Sequence, residues 1–197
     1  MTADGRIASR QRELLTVAPY SPSTLYFFRA PKGNTMTYPE PRYLGDKGEI
    51  SATYRRADHA PELTYRSGNT VHYLSTGDST NGQFGLYRWD MGPKPSGPDA
   101  HFHKSISESF FILSGTVRIY DGARWLDATP GDYVHVPEGG IHAFRNESGE
   151  PASMLLHFAP GAPREGYFEG LAEFAVSGRP SGEELAEFYL RHDTYWL

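Results

Sequence analysis

The chain has 197 residues, a formal net charge of −5 and no cysteine, which excludes a broad basic surface for nucleic acid or an acidic membrane, a disulfide framework and any thiolate chemistry. Its 38% apolar content over that length suffices for one domain with a buried core. Thirteen tyrosines, eleven phenylalanines and three tryptophans, set among 21 glycines and 15 prolines, fit many short strands joined by tight turns, so the expected class is all-β.

In chain order, the opening stretch MTADGRIASRQRELLTVAPY lacks the apolar run of a secretory signal, and no run of about 18 apolar residues offers a membrane span, which points to a soluble cytoplasmic protein. Residues 1–65 mix aromatic clusters with prolines and read as an extended N-terminal arm. Thr24–Arg29 and Glu49–Arg55 within it are candidate edge strands. An exposed arm of that kind predicts pairing with a second copy, hence a homodimer, and the other reading is an irregular cover over one barrel end.

Residues 66–160 carry regular strand signals: TVHYLS, QFGLYRWDM, a histidine-rich stretch, TVRIY and RWLDA joined through Asp121-Gly122-Ala123, and the dense apolar run ASMLLHF. About eight strands result, as a double-sheet jelly roll requires. Residues 161–197 change period. Phe168, Leu171, Ala172 and Ala175 fall at helical spacing in a helix over Glu165–Val176, and Ser181 with Glu184 three residues on has the capping-box form that opens a second helix through SGEELAEFYLRHDTYW.

The chemistry concentrates in two stretches. In HFHKSISESFFILSG, His101 and His103 share one face of a strand and Glu108 begins the next; in GDYVHVPEGGIHAFRN, Pro137 and the pair Gly139, Gly140 turn the chain so that His142 sits on a returning strand. Side-chain period two converts these spacings into convergence on one point inside a barrel, a mononuclear metal site. The bland alternative is four polar core groups without a cation, which would leave several of them unsatisfied at about 1 to 3 kcal/mol each. Three imidazoles and a carboxylate suit one divalent transition metal ion, whether iron, manganese, nickel, cobalt, copper or zinc.

Both stretches resemble the paired sequence motifs of the cupin family. His101, His103, Glu108 and Gly115 match the first motif, and Gly131, Pro137, Gly139, His142 and Asn146 match the second; Pro95 stands where the first motif has a glycine, with Gly97 displaced by two. Fifteen residues, Thr116–Pro130, separate the motifs, as in compact microbial members. The resemblance spans roughly residues 84–160 and implies a double-stranded β-helix, a jelly-roll barrel, with His101, His103, Glu108 and His142 as metal ligands. The HxHxxxxE arrangement and the downstream REGYFEGL helix further resemble quercetinase-like cupins, which implies dioxygenation of a small enolic or phenolic, flavonol-like compound with Glu108 as catalytic base. Burial of a free carboxylate raises its pKa, which suits that role. Cupins also run isomerisation, epimerisation, decarboxylation and polyketide ring closure, or serve as non-catalytic ligand-binding modules, and the fold does not choose among these.

The alternation that turns Glu108 inward also turns Phe110 and Ile112, with Phe144 beside His142, so these three and His157 are candidate substrate contacts in an aromatic pocket. Tyr87, Trp89 and Met91 alternate with Phe84, Leu86 and Arg88, and the sequence leaves open which set faces the metal. His72 reads as a core histidine, His135 has no assigned role, and His59 and His192 read as surface residues.

Overall fold

The computed structural model describes residues 38–197. Eleven short strands and two helices follow one another: β1 Leu63–Thr64, β2 Thr70–Ser75, β3 Gly85–Met91, β4 His101–Phe102, β5 Ser107–Ser114, β6 Val117–Tyr120, β7 Trp125–Ala128, β8 Tyr133–Val136, β9 Ala143–Arg145, β10 Ala152–Ala159, α1 Arg164–Ser177, α2 Gly182–Arg191 and β11 Tyr195–Trp196. The strands form an antiparallel six-stranded sheet in the order β1-β2-β3-β10-β5-β8, a three-stranded sheet β7-β6-β9 and a two-stranded pair β11-β4. An isolated antiparallel bridge, His101 with His142, links β4 to the chain entering β9. This is the jelly roll expected from the motif spacing.

Period two explains what lies inside. Along β10, Ala152, Met154, Leu156 and Phe158 are buried while the intervening residues are half-covered. Leu156 stands opposite Tyr87 of β3 on one side and Phe110 of β5 on the other, so a single register places three large side chains in one layer of the core. Tyr87 and Met91 are buried, which settles the inward face of β3 as the Tyr87, Trp89, Met91 set.

Two glycines hold the frame. Gly115 turns β5 into β6 at φ +71, and a β-carbon there would lie 2.4 Å from the carbonyl oxygen of Pro151. Gly97, at φ +149, passes so close to β9 that a β-carbon would sit 1.9 Å from the Phe144 carbonyl oxygen, so the displaced glycine still serves a close backbone crossing.

Two expectations change. Glu49–Arg55 forms no strand: Ile50 and Tyr54 are fully or largely exposed, so alternation there gives no apolar face to bury, and the segment offers no edge for a second copy. Thr24–Arg29 lies outside the described residues. The second helix, capped as expected by the reciprocal Ser181–Glu184 hydrogen bonds, stops at Arg191. Asp193 takes the left-handed conformation at φ +52, with Asp193 N–H donating to Leu190 O (3.1 Å) and Thr194 N–H to Tyr189 O (2.9 Å), a Schellman stop that sends the last residues back to pair with β4.

Candidate metal centre

His101 lies on β4, His103 immediately beyond it, Glu108 at the start of β5 and His142 just ahead of β9. Mutual backbone hydrogen bonds, His101 N to His142 O at 3.0 Å and His142 N to His101 O at 2.9 Å, lock two of the elements together. All four side chains are buried, and one ligand atom from each lies within 4.8 Å of the other three. Glu108 Oε2 stands 2.9 Å from His142 Nε2 and 3.2 Å from His103 Nε2.

The other ring nitrogens decide what the site can hold. Nδ1 of His101 faces the Asp99 carbonyl oxygen at 2.9 Å, Nδ1 of His103 that of Asp193 at 2.6 Å, and Nδ1 of His142 that of Gly140 at 2.9 Å. A carbonyl oxygen has no proton to give, so each Nδ1 donates, and all three Nε2 atoms turn toward one point with Glu108. An imidazole whose Nδ1 proton is pinned in this way presents Nε2 as its metal-binding atom. Three nitrogen donors and one carboxylate oxygen could therefore hold a divalent transition metal ion, and the donor set leaves its identity open.

The electrostatics are those of groups held together by charge. Burial pushes the Glu108 carboxyl up, but hydrogen bonds from His103 and His142 outweigh it and hold the carboxyl well below the usual carboxylate range. This corrects the expectation of a raised value, which counted burial without the imidazoles. Burial, with His142 beside it, lowers His101 to about 4. Burial also disfavours the charged form of His142, yet the Glu108 hydrogen bond leaves its pKa raised.

A cavity of about 270 Å³ opens over His101 and Glu108. Trp89 lines it, with edge-to-face neighbours Phe144 (6.1 Å) and Phe168 (5.2 Å). Among the expected substrate contacts, Phe144 lines the cavity. Phe110 and Ile112 lie in the core, Phe110 supporting Phe144 at 5.8 Å and His142 at 6.0 Å, and His157 is on the opposite face of β10, stacked on Phe84 at 5.6 Å. His72 is buried near Asp90, 3.3 Å away, and His135 faces Ser109 Oγ at 3.1 Å. His192 is half-buried, 4.7 Å from the Phe188 ring, and so is a packing residue, while His59 is exposed.

The family model described as "Cupin domain" matches residues 87–158, the interval that contains all four converging side chains. Residues 87–158 are a cupin domain. A curated relative, quercetin 2,3-dioxygenase of Bacillus subtilis (strain 168), is 29% identical over 83 residues, covering 42% of this chain and 24% of the relative, so the chain spans about a quarter of that protein's length. Among solved structures, KdgF from Halomonas sp. superposes with a TM-score of 0.50 at 11% identity, over 58% of this chain and 97% of that one. The polyketide cyclase RemF from Streptomyces resistomycificus gives 0.47 at 20% identity, over 57% and 81%. At 11% identity the likeness to KdgF shows the fold alone.

Sequence reasoning missed the C-terminal lining of the cavity. Arg164, Tyr167 and Phe168 of α1 and Trp196 of β11 line it, and the chain beyond α2 supplies the Asp193 carbonyl that orients His103. One signal was available: Arg164 opens a helix, the end at which the helix dipole disfavours a cation.

Proposed function

We propose that this protein is a metal-dependent dioxygenase of a small enolic or phenolic, flavonol-like compound, with His101, His103, Glu108 and His142 holding one divalent transition metal ion. The observation that carries the reading is the commitment of all three Nδ1 atoms to backbone carbonyls, which leaves three Nε2 atoms and Glu108 facing one point at the edge of an aromatic cavity. When bound, the ion supplies Lewis-acid and redox chemistry and a position for a substrate oxygen.

The chain's own residues do the rest. Glu108 lines the cavity and is ionised at neutral pH, so its carboxylate can accept the proton of a substrate hydroxyl. Trp89, Phe144 and Phe168 provide flat apolar walls that stack on a planar substrate and keep water from it. The similarity of residues in this barrel to a quercetin 2,3-dioxygenase supports an oxygenase over the isomerase, epimerase and cyclase chemistries that the same cage would serve.

The test is to purify the protein without chelator, identify its metal by elemental analysis and screen flavonols and related enols with an oxygen electrode. Substrate-dependent oxygen uptake is the expected result. Turnover without oxygen uptake would replace the oxygenase reading with an isomerase or cyclase, and binding without turnover would make the protein a ligand-binding module.

A further inference from the structure

The C-terminal lining of the cavity holds a cation that makes no salt bridge among the described residues. Arg164 is 4% exposed, and among the described residues no carboxylate lies within salt-bridge distance of its guanidinium. One nitrogen, Nη1, donates to the His192 carbonyl oxygen at 2.7 Å, while Nε is buried with no acceptor. The guanidinium lies over the rings of Tyr167 (4.2 Å), Phe158 (5.1 Å) and Phe168 (5.6 Å), which hold it in place and shield it but do not neutralise it. It also stands at the first residue of α1, where the helix dipole opposes a positive charge. A buried, unpaired charge in an unfavourable field breaks several local rules at once, and such violations gather where a ligand supplies the missing partner.

A second donor, on another residue that lines the cavity, has the same deficiency. The Trp196 indole N–H is buried without an acceptor, and its ring lines the cavity 5.0 Å from His101. Glu108, the acidic residue that lines this cavity, is already hydrogen-bonded to His103 and His142.

We propose that the cavity takes a small organic carboxylate, whose carboxylate group is received by the Arg164 guanidinium with help from the Trp196 N–H while its enolic or phenolic oxygen faces the His101 and Glu108 wall. One guanidinium and one neutral N–H match a monoanion better than a phosphate dianion. A volume of about 270 Å³, just under the roughly 300 Å³ at which pockets for drug-sized ligands begin, suits a single ring better than a large polycyclic molecule. The aromatic walls require that the body of the anion be flat and apolar. The inference rests on reading this cavity as the substrate site, and it narrows the enolic or phenolic class to single-ring acids.

Isothermal titration calorimetry on the protein purified with its metal, using sodium benzoate, benzamide and phenyl phosphate, tests it. Benzoate is expected to bind at least about tenfold more tightly than benzamide, the effect of a charge-assisted hydrogen bond. Arg164→Gln should lose that preference, bringing benzoate to within about twofold of benzamide, and Trp196→Phe should reduce it a few-fold. Equal affinity for benzoate and benzamide in the unaltered protein, or no binding of either, overturns the proposal; tighter binding of phenyl phosphate overturns the assignment to a carboxylate. If Arg164→Gln fails to fold by circular dichroism, Arg164→Lys, which keeps the charge, is expected to keep part of the preference, and equal affinity for the two probes in that folded variant counts against the proposal. A carboxylate preference with no oxygen uptake on any enol would remove the oxygenase reading and leave this one; oxygen uptake on uncharged flavonols without a carboxylate preference would do the reverse.

Discussion

The two walls of the cavity are built on opposite terms. On the barrel wall three histidines are tied to backbone carbonyls, and Glu108 lies between two of them. On the C-terminal wall, contributed by α1 and β11, an arginine and an indole N–H are buried with donors to spare. The barrel wall is complete as a cage for an ion, and the C-terminal wall becomes complete with a ligand. Chemistry and recognition are thus divided between a sheet and a tail, and the division can be tested from either side.

The largest effects should come from the barrel wall. His142→Ala is expected to reduce metal content from about one ion per chain to under about a tenth by elemental analysis, since one donor of four is lost and Glu108 loses a partner. Glu108→Gln should lower oxygen uptake by about 10² to 10⁴, the usual contribution of a positioned proton acceptor.

Asp193 joins the two walls and comes next. Its carbonyl orients His103, and its carboxylate accepts from Ser105 N at 2.8 Å, Ser105 Oγ at 2.7 Å and Lys104 N at 3.1 Å. Asp193→Ala removes the carboxylate bonds and places alanine at φ +52. Urea unfolding should show a loss of about 2 kcal/mol, and metal titration a drop in affinity of about tenfold or more. An unchanged metal affinity would show that the tail does not support the cage.

Acid should separate the walls more gently. His101 titrates near 4 in the folded protein against 6.5 in a free chain, so the unfolded state binds more protons between those values. Stability of the metal-free protein should therefore fall as pH drops from about 6.5 toward 4, by about 1 to 3 kcal/mol, with metal affinity weakening over the same window because the ligands must be neutral. Urea midpoints that stay flat across that range would contradict the burial of His101.

The smallest effect belongs to the helix that carries the tail. Ser181→Ala removes the side-chain acceptor at the start of α2 and should cost about 1 kcal/mol by thermal unfolding, with metal content unchanged.

The same division governs what could be read from the sequence. The barrel strands, the convergence of His101, His103, Glu108 and His142, and the opening of α2 were legible because each follows a local period or spacing: alternation in β5 and β10, a glycine-marked turn before His142, and Ser181 with Glu184. The tail was not. Its helix stops at an aspartate where the usual signal is glycine, its last strand has two residues, and Arg164 reads as an ordinary charge until the fold buries it. Burial of Glu108 was foreseen, but the two imidazoles that reverse its pKa shift are a matter of tertiary proximity. Glu49–Arg55 failed as a strand because a few β-prone residues without a partner strand do not make one.

The most direct test of the central claim is anomalous diffraction, at the absorption edge of the metal identified by elemental analysis, from crystals of the protein purified without chelator. One peak at about 2.0 to 2.2 Å from Nε2 of His101, His103 and His142 and from the Glu108 carboxylate is the result expected here. A metal-replete protein whose peak lies anywhere else would contradict the account.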